Sequence, residues 1–119
     1  MANQTYKSGC ACGAVQLEIT GEPAVQAYCH CESCRSWFAA PVNAAALWPV
    51  QSVKVVKGAD NLGLYKKTEA SHRQFCRTCG AAVMVGHPGR SGHEMAVIGT
   101  LSALVGYAVG AILKLPPTL

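Results

Sequence analysis

Gly9-Cys10-Ala11-Cys12-Gly13-Ala14-Val15-Gln16-Leu17-Glu18-Ile19-Thr20 joins a pair of cysteines directly to a strand. Val15, Leu17 and Ile19 alternate with Gln16, Glu18 and Thr20, so residues 13–20 read as a half-buried β-strand. In extended backbone, residues i and i+2 share a face. Cys10 and Cys12 can then reach one ion while Ala11 turns away. Two more clusters follow along the chain, Cys29-His30-Cys31-Glu32-Ser33-Cys34 and Cys76-Arg77-Thr78-Cys79-Gly80. The 7 cysteines thus come as two, three and two.

Outward from that strand the chain keeps the same grain. After the Gly21-Glu22-Pro23 turn, residues 24–29, 42–47, 52–56, 62–67, 72–76, 82–85 and 94–98 read as short extended runs. Residues 32–39 can form one short helical turn. Many short strands punctuated by Gly and Pro predict an all-β sandwich or barrel-like fold. At 119 residues the chain is expected to form a single domain, 1–119, around one core. No repeat of ~20–50 residues is visible.

The clusters divide by their chemistry. Cys76-x-x-Cys79 is a knuckle, and Gly80 permits the left-handed turn and close backbone approach that follow it. With Cys10 and Cys12 it completes a closed Cys₄ set, expected to be structural and to contribute directly to folding. Cys29, Cys31 and Cys34 form a three-thiol set with no fourth cysteine, which leaves a coordination position for substrate or solvent. Strand alternation aims His30 away, whereas His72, His87 or His93 could supply a nitrogen from elsewhere. A zinc-ribbon pairing of Cys31/Cys34 with Cys76/Cys79 is rejected. Its spacer holds 41 residues, beyond the ~15–20 usual for such modules, and it strands three cysteines.

Composition narrows the functional class. The formal charge of +4 counts every thiol as neutral; seven thiolates with two divalent ions would lower it to +1. Lys54, Lys57, Lys66 and Lys67 form no dense run with aromatics, so no nucleic-acid partner is expected. The absence of a secretory pattern at Met1-Ala2-Asn3-Gln4 and the odd number of thiols argue for a reducing, cytoplasmic setting. Residues 95–113 carry no charge, and Gly106 to Gly110 has small-xxx-small spacing. Gly99, Gly106 and Gly110 argue against a membrane helix, so the stretch is expected to cover the core or a partner subunit, as in a homodimer.

Gly9-Cys-Ala-Cys-Gly13, Cys29-His-Cys-Glu-Ser-Cys-Arg35 and Phe75-Cys-Arg-Thr-Cys-Gly80 resemble the signature of the glutathione-dependent formaldehyde-activating enzyme family, which includes a centromere-protein-V branch. Gly58, Leu62 and Tyr65 extend the likeness, which covers about residues 9–101. The resemblance implies a Mss4-like fold of twisted β-sheets and a structural zinc on Cys10, Cys12, Cys76 and Cys79. It also implies a labile catalytic zinc on Cys29, Cys31 and Cys34, and a carbon–sulfur lyase that joins glutathione to formaldehyde as S-hydroxymethylglutathione. Arg35 is the expected cation for a tripeptide carboxylate, with Trp37 and Phe38 as candidate pocket walls. After Gly99-Thr100-Leu101 the chain departs from the family, lacking its acidic turn and later His-to-Trp segment, so 102–119 carries nothing over. Two other roles fit the thiols: a non-catalytic zinc module for a partner, and a redox sensor.

Overall fold

The alternation that starts at Val15 is completed by pairing partners on both sides. The computed structural model describes residues 5–88 and the backbone of residues 95–99. β1 (Thr5–Gly9) and β2 (Gln16–Thr20) form an antiparallel hairpin, and β5 (Val53–Lys57) joins the far side of β2. β3 (Val25–Cys29), β4 (Asn43–Pro49), β6 (Leu62–Thr68), β7 (Ser71–Cys76), β8 (Ala82–His87) and β9 (Met95–Gly99) build a second antiparallel sheet. Its strand order is β3-β4-β9-β8-β7-β6. One helix, α1 (Glu32–Phe38), is inserted between β3 and β4. The all-β expectation with one short helical segment holds. β1 was not anticipated, because Tyr6 is its single buried residue and gives no alternation to read.

The two sheets enclose the core. Tyr6, Val15, Leu17 and Ile19 from the smaller sheet and its hairpin meet Ala46, Trp48, Cys76 and Val83 from the larger one. Trp48 is fully buried, donates its indole N–H to the Gly21 carbonyl at 2.9 Å, and packs its ring 5.8 Å from Tyr6. A buried indole N–H without such an acceptor would carry a desolvation penalty.

Strand parity decides what the other face of the larger sheet presents. On β4, Ala46 and Trp48 face the core, so Asn43, Ala45 and Leu47 face away. On β8 the register slips opposite Gln74/Phe75. This lets neighbouring Val83 and Met84 both pack toward the core, while Val85 and His87 emerge on the far face. The 95–113 stretch lies largely outside the described residues, which include only the backbone of β9. Among the described residues no helix is long and apolar enough to cross a membrane.

Gly58 sits where the end of β5 passes the cysteine-bearing β1–β2 turn. Its φ is +77°, and a Cβ there would lie 2.1 Å from the Ala14 carbonyl oxygen. Both the left-handed backbone and the close approach exclude a side chain. Gly58→Ala is expected to lower stability by more than about 1 kcal/mol, read as a lower urea midpoint at unchanged slope. An unshifted midpoint would show that this approach does not constrain the fold.

Candidate metal centres and the adjoining cavity

The seven sulfurs gather into the two sets that the spacing predicts. Those of Cys10, Cys12, Cys76 and Cys79 lie within 4.8 Å of one another, as do those of Cys29, Cys31 and Cys34. In the first set Cys12 is 3.6 Å from Cys10 and 3.8 Å from Cys76. A tetrahedral ion with ~2.3 Å metal–sulfur bonds needs sulfurs about 3.8 Å apart. The donor set therefore fits zinc in chemistry and in size.

Backbone geometry explains why these turns hold sulfurs. Cys10 and Cys12 do not lie in a strand, as alternation suggested, but in the β1–β2 turn. There Gly13 N–H bonds the Cys10 carbonyl at 3.3 Å, and Val15 N–H donates to the Cys10 sulfur at 3.2 Å. The strand reading failed because a closed knuckle brings i and i+2 together without extended backbone. The second knuckle lies between β7 and β8. Gly80 N–H bonds the Cys76 carbonyl at 2.8 Å with Gly80 at φ +76°. No atom lies within 4 Å of a Cβ built at Gly80, so the left-handed backbone, not close approach, requires glycine there. Cys76 is fully buried, and its sulfur accepts from Thr78 N–H and from the Asn61 amide, both at 3.4 Å.

The three-thiol set is built differently. Cys29 ends β3, and Cys31 is the N-cap of α1, its sulfur accepting the Cys34 backbone N–H at 3.3 Å and lying 3.5 Å from Cys29. Neither Cys31 nor Cys34 is in a strand. A helix start brings the three thiols together, and His30 is exposed. The Cys34 N–H, helped by the Cys34 and Cys29 thiols, pulls the Cys31 thiol down to about 7. Burial, with Cys29 and Cys31 beside it, pushes Cys34 up to about 12. In the first set burial opposes ionisation of Cys10, but the Val15 N–H and the neighbouring thiols outweigh it and bring Cys10 to about 6. The Ala14 N–H favours the Cys12 thiolate, yet Cys10, Cys79 and Cys76 hold that thiol up at about 11. The Ala81 N–H lowers Cys79 as well, so each set holds at least one thiol that ionises readily, an entry point for a cation.

Residues that the sequence reading did not select hold α1 in place. Arg73, on β7 and only 6% exposed, donates to the Ser33 carbonyl at 3.3 Å and to the Ser33 hydroxyl. Lys67 reaches the same hydroxyl at 2.7 Å. Ser33 lies between Cys31 and Cys34, so the loop of ligands is pinned to the sheet. Trp37 stacks on Tyr65 at 6.0 Å, meets Phe75 edge-on at 6.3 Å, and carries the Arg73 guanidinium 5.4 Å above its ring. Trp37 therefore anchors the helix, and Phe38 is the aromatic that lines the cavity. Arg35 is exposed on α1 and is not among the residues lining that cavity.

The cavity, about 390 Å³, opens beside all three thiols. Its floor is the far face of the larger sheet: Ala27, Asn43, Ala45, Leu47, Val85 and His87, with Ser71 and Arg73 at one side. The register accounts for this grouping, pairing Ala27 with Ala45, Cys29 with Asn43, and Arg73 with Val85. His87 places Nδ1 2.9 Å from the Ala70 carbonyl oxygen. A carbonyl can only accept, so in the neutral ring Nδ1 carries the proton and Nε2 keeps its lone pair. Of the other candidate nitrogens, His72 does not line the cavity, and His93 lies outside the described residues.

The chain and its fold are similar to those of known proteins. The family model for the glutathione-dependent formaldehyde-activating enzyme matches residues 5–108, and the chain belongs to that family. A crystal structure of a Rhodobacter sphaeroides protein is similar, with TM-score 0.63 and 31% identity, over 87% of this chain and 94% of that one. A Schizosaccharomyces pombe protein named as an uncharacterized lyase is 32% identical over 78 residues, 66% of this chain. The chain spans about half the length of that relative, 55%.

The two sets should respond differently to the loss of a thiol. Cys76→Ser removes a buried thiol of the four-thiol set and is expected to leave the protein insoluble. Cys31→Ser is expected to remain folded with about half the metal of the wild type, measured by elemental analysis against protein concentration. Soluble, cooperatively unfolding Cys76→Ser protein would show that the first set does not hold the fold.

Proposed function

We propose that the chain is a zinc-dependent carbon–sulfur lyase that joins glutathione, or a related thiol, to an aldehyde at the Cys29/Cys31/Cys34 set. The observation that carries this reading is the placement of that incomplete set at the mouth of a cavity, while the complete set is tied to the core through the buried Cys76. Membership of the family supports it. Cys10, Cys12, Cys76 and Cys79 would hold a structural zinc, and the three-thiol set a second, more labile one. Zinc bound there supplies Lewis acidity that favours the thiolate form of an incoming thiol.

The chain's own residues do the remaining chemistry. Arg73 and Lys67, through Ser33, fix the ligand loop, so the reacting thiol meets a preset position. His87 Nε2 takes the thiol proton as the carbon–sulfur bond forms and the carbonyl π bond breaks. It then returns that proton to the oxygen, giving the hydroxyalkyl thioether. His87 is thus the general base and then the general acid. The tripeptide's carboxylates are left to the rim, where Lys67 lines a shallow hollow with Cys31, Glu32 and Ser36, and Arg35 is exposed nearby on α1.

Exchange NMR between formaldehyde and glutathione, with and without the zinc-loaded protein, tests the reaction against its spontaneous rate. Acceleration is expected for the wild type and is lost in Cys31→Ser. His87→Gln is expected to retain its metal and lose about 10²-fold or more of the acceleration, with partial recovery in added imidazole. An exchange rate equal to the spontaneous one, together with a metal content that glutathione never perturbs, would reject catalysis in favour of a non-catalytic zinc module.

A further inference from the structure

The cavity is larger and more apolar than the addition of glutathione to formaldehyde requires. Formaldehyde has no carbon beyond the reacting one, yet about 390 Å³ adjoins the three thiols, well within the ~300–1,000 Å³ of small-molecule sites. Ala27, Phe38, Ala45, Leu47 and Val85 present hydrocarbon to it. The tripeptide is a poor occupant. It carries two carboxylates and an ammonium, and burying these without partners costs several kcal/mol each. Among the described lining residues Arg73 is the one permanently charged group, and it already donates to Ser33 and lies over Trp37. The hollow exists because the Ala27–Ala45 pair sits on its floor, where larger side chains would fill it.

We infer that this cavity receives the carbon chain of the carbonyl substrate, so that the site is built for apolar aldehydes larger than formaldehyde. The inference rests on the thiol–aldehyde reading above. The chemistry is unchanged and balanced: the thiol adds across the carbonyl, one carbon–sulfur bond replaces the carbonyl π bond, and the thiol proton ends on the oxygen. The product is a hemithioacetal whose alkyl or aryl group lies against Phe38, Leu47 and Val85, while the tripeptide stays on the rim.

The test uses the zinc-loaded protein with glutathione and formaldehyde, propanal, hexanal or benzaldehyde, each rate divided by its uncatalysed rate. Acceleration is expected to rise along the aliphatic series by up to about fourfold per methylene until the cavity is full. Calorimetry with S-methyl-, S-butyl- and S-hexylglutathione reads the cavity without any reaction, and the hexyl compound is expected to bind at least tenfold more tightly than the methyl one. Ala27→Phe fills the hollow at an exposed strand position and is expected to abolish that preference. Acceleration that is flat or falling with chain length, or equal binding of the three thioethers, overturns the inference and leaves the thiol–aldehyde reading intact. A hexyl preference with no acceleration of any aldehyde rejects that reading instead.

Discussion

The sulfur of Cys76 is the point on which both halves of the molecule depend. It is fully buried among Trp48, Leu17 and Val83, and it is also a member of the four-thiol set. In the proposed zinc site the charge of this sulfur would be balanced by the ion, since burying an isolated charge costs far more than a small core can offset. The Asn61 amide and the Thr78 N–H donate to the sulfur, and the Cys12 thiol lies 3.8 Å from it. An ion held there would make the core and the metal one thermodynamic unit. Such coupling would let a chain of 119 residues carry nine short strands among its described residues around a small core.

From that fixed point the larger sheet is used on both faces. One face closes the core and the other floors the cavity, and strand parity decides which residue serves which. The register slip on β8 matters most, because without it Val85 and His87 would follow Val83 toward the core. A single irregularity thereby puts a histidine on the cavity that the three thiols also line. The helix adds the roof, and it stays there through Trp37 and through the hydrogen bonds that Ser33 receives from Arg73 and Lys67.

How much of this could be read from the sequence follows from the range of each signal. The metal sets were legible because thiol clusters and Cys-x-x-Cys-Gly80 are local patterns with one dominant chemical use. The strands from Gln16 to Gly99 were legible from alternation and turn residues, whereas β1 was not, having one buried side chain. Strand alternation gave the right partners for Cys10/Cys12 and Cys29/Cys31 for a wrong local reason, since a turn and a helix cap also bring i and i+2 together. Arg73 could not have been found from its neighbours in the chain. Ser71-His72-Arg73-Gln74 shows no apolar alternation, and its burial comes from Ser33 and Trp37, about forty residues away. His87 left a faint trace, two residues past a buried valine on one face of β8.

The contrast between the two thiol sets extends this logic to function. The four thiols of the first set lie in two tight knuckles with Cys76 in the core, and although Cys12 and Cys79 reach the surface, four sulfurs suffice to complete a tetrahedral site. Where one ligand ends a strand, one caps a helix and one lies in its first turn, the fourth side is left to whatever occupies the cavity. The bonds to Ser33 then take on a second meaning. They tie the Cys31–Cys34 loop to the sheet, so that the three-thiol set rests on a rigid base. In the proposed reaction, rigidity there would hold the reacting thiol over the cavity that Val85 and His87 line while the carbon–sulfur bond forms.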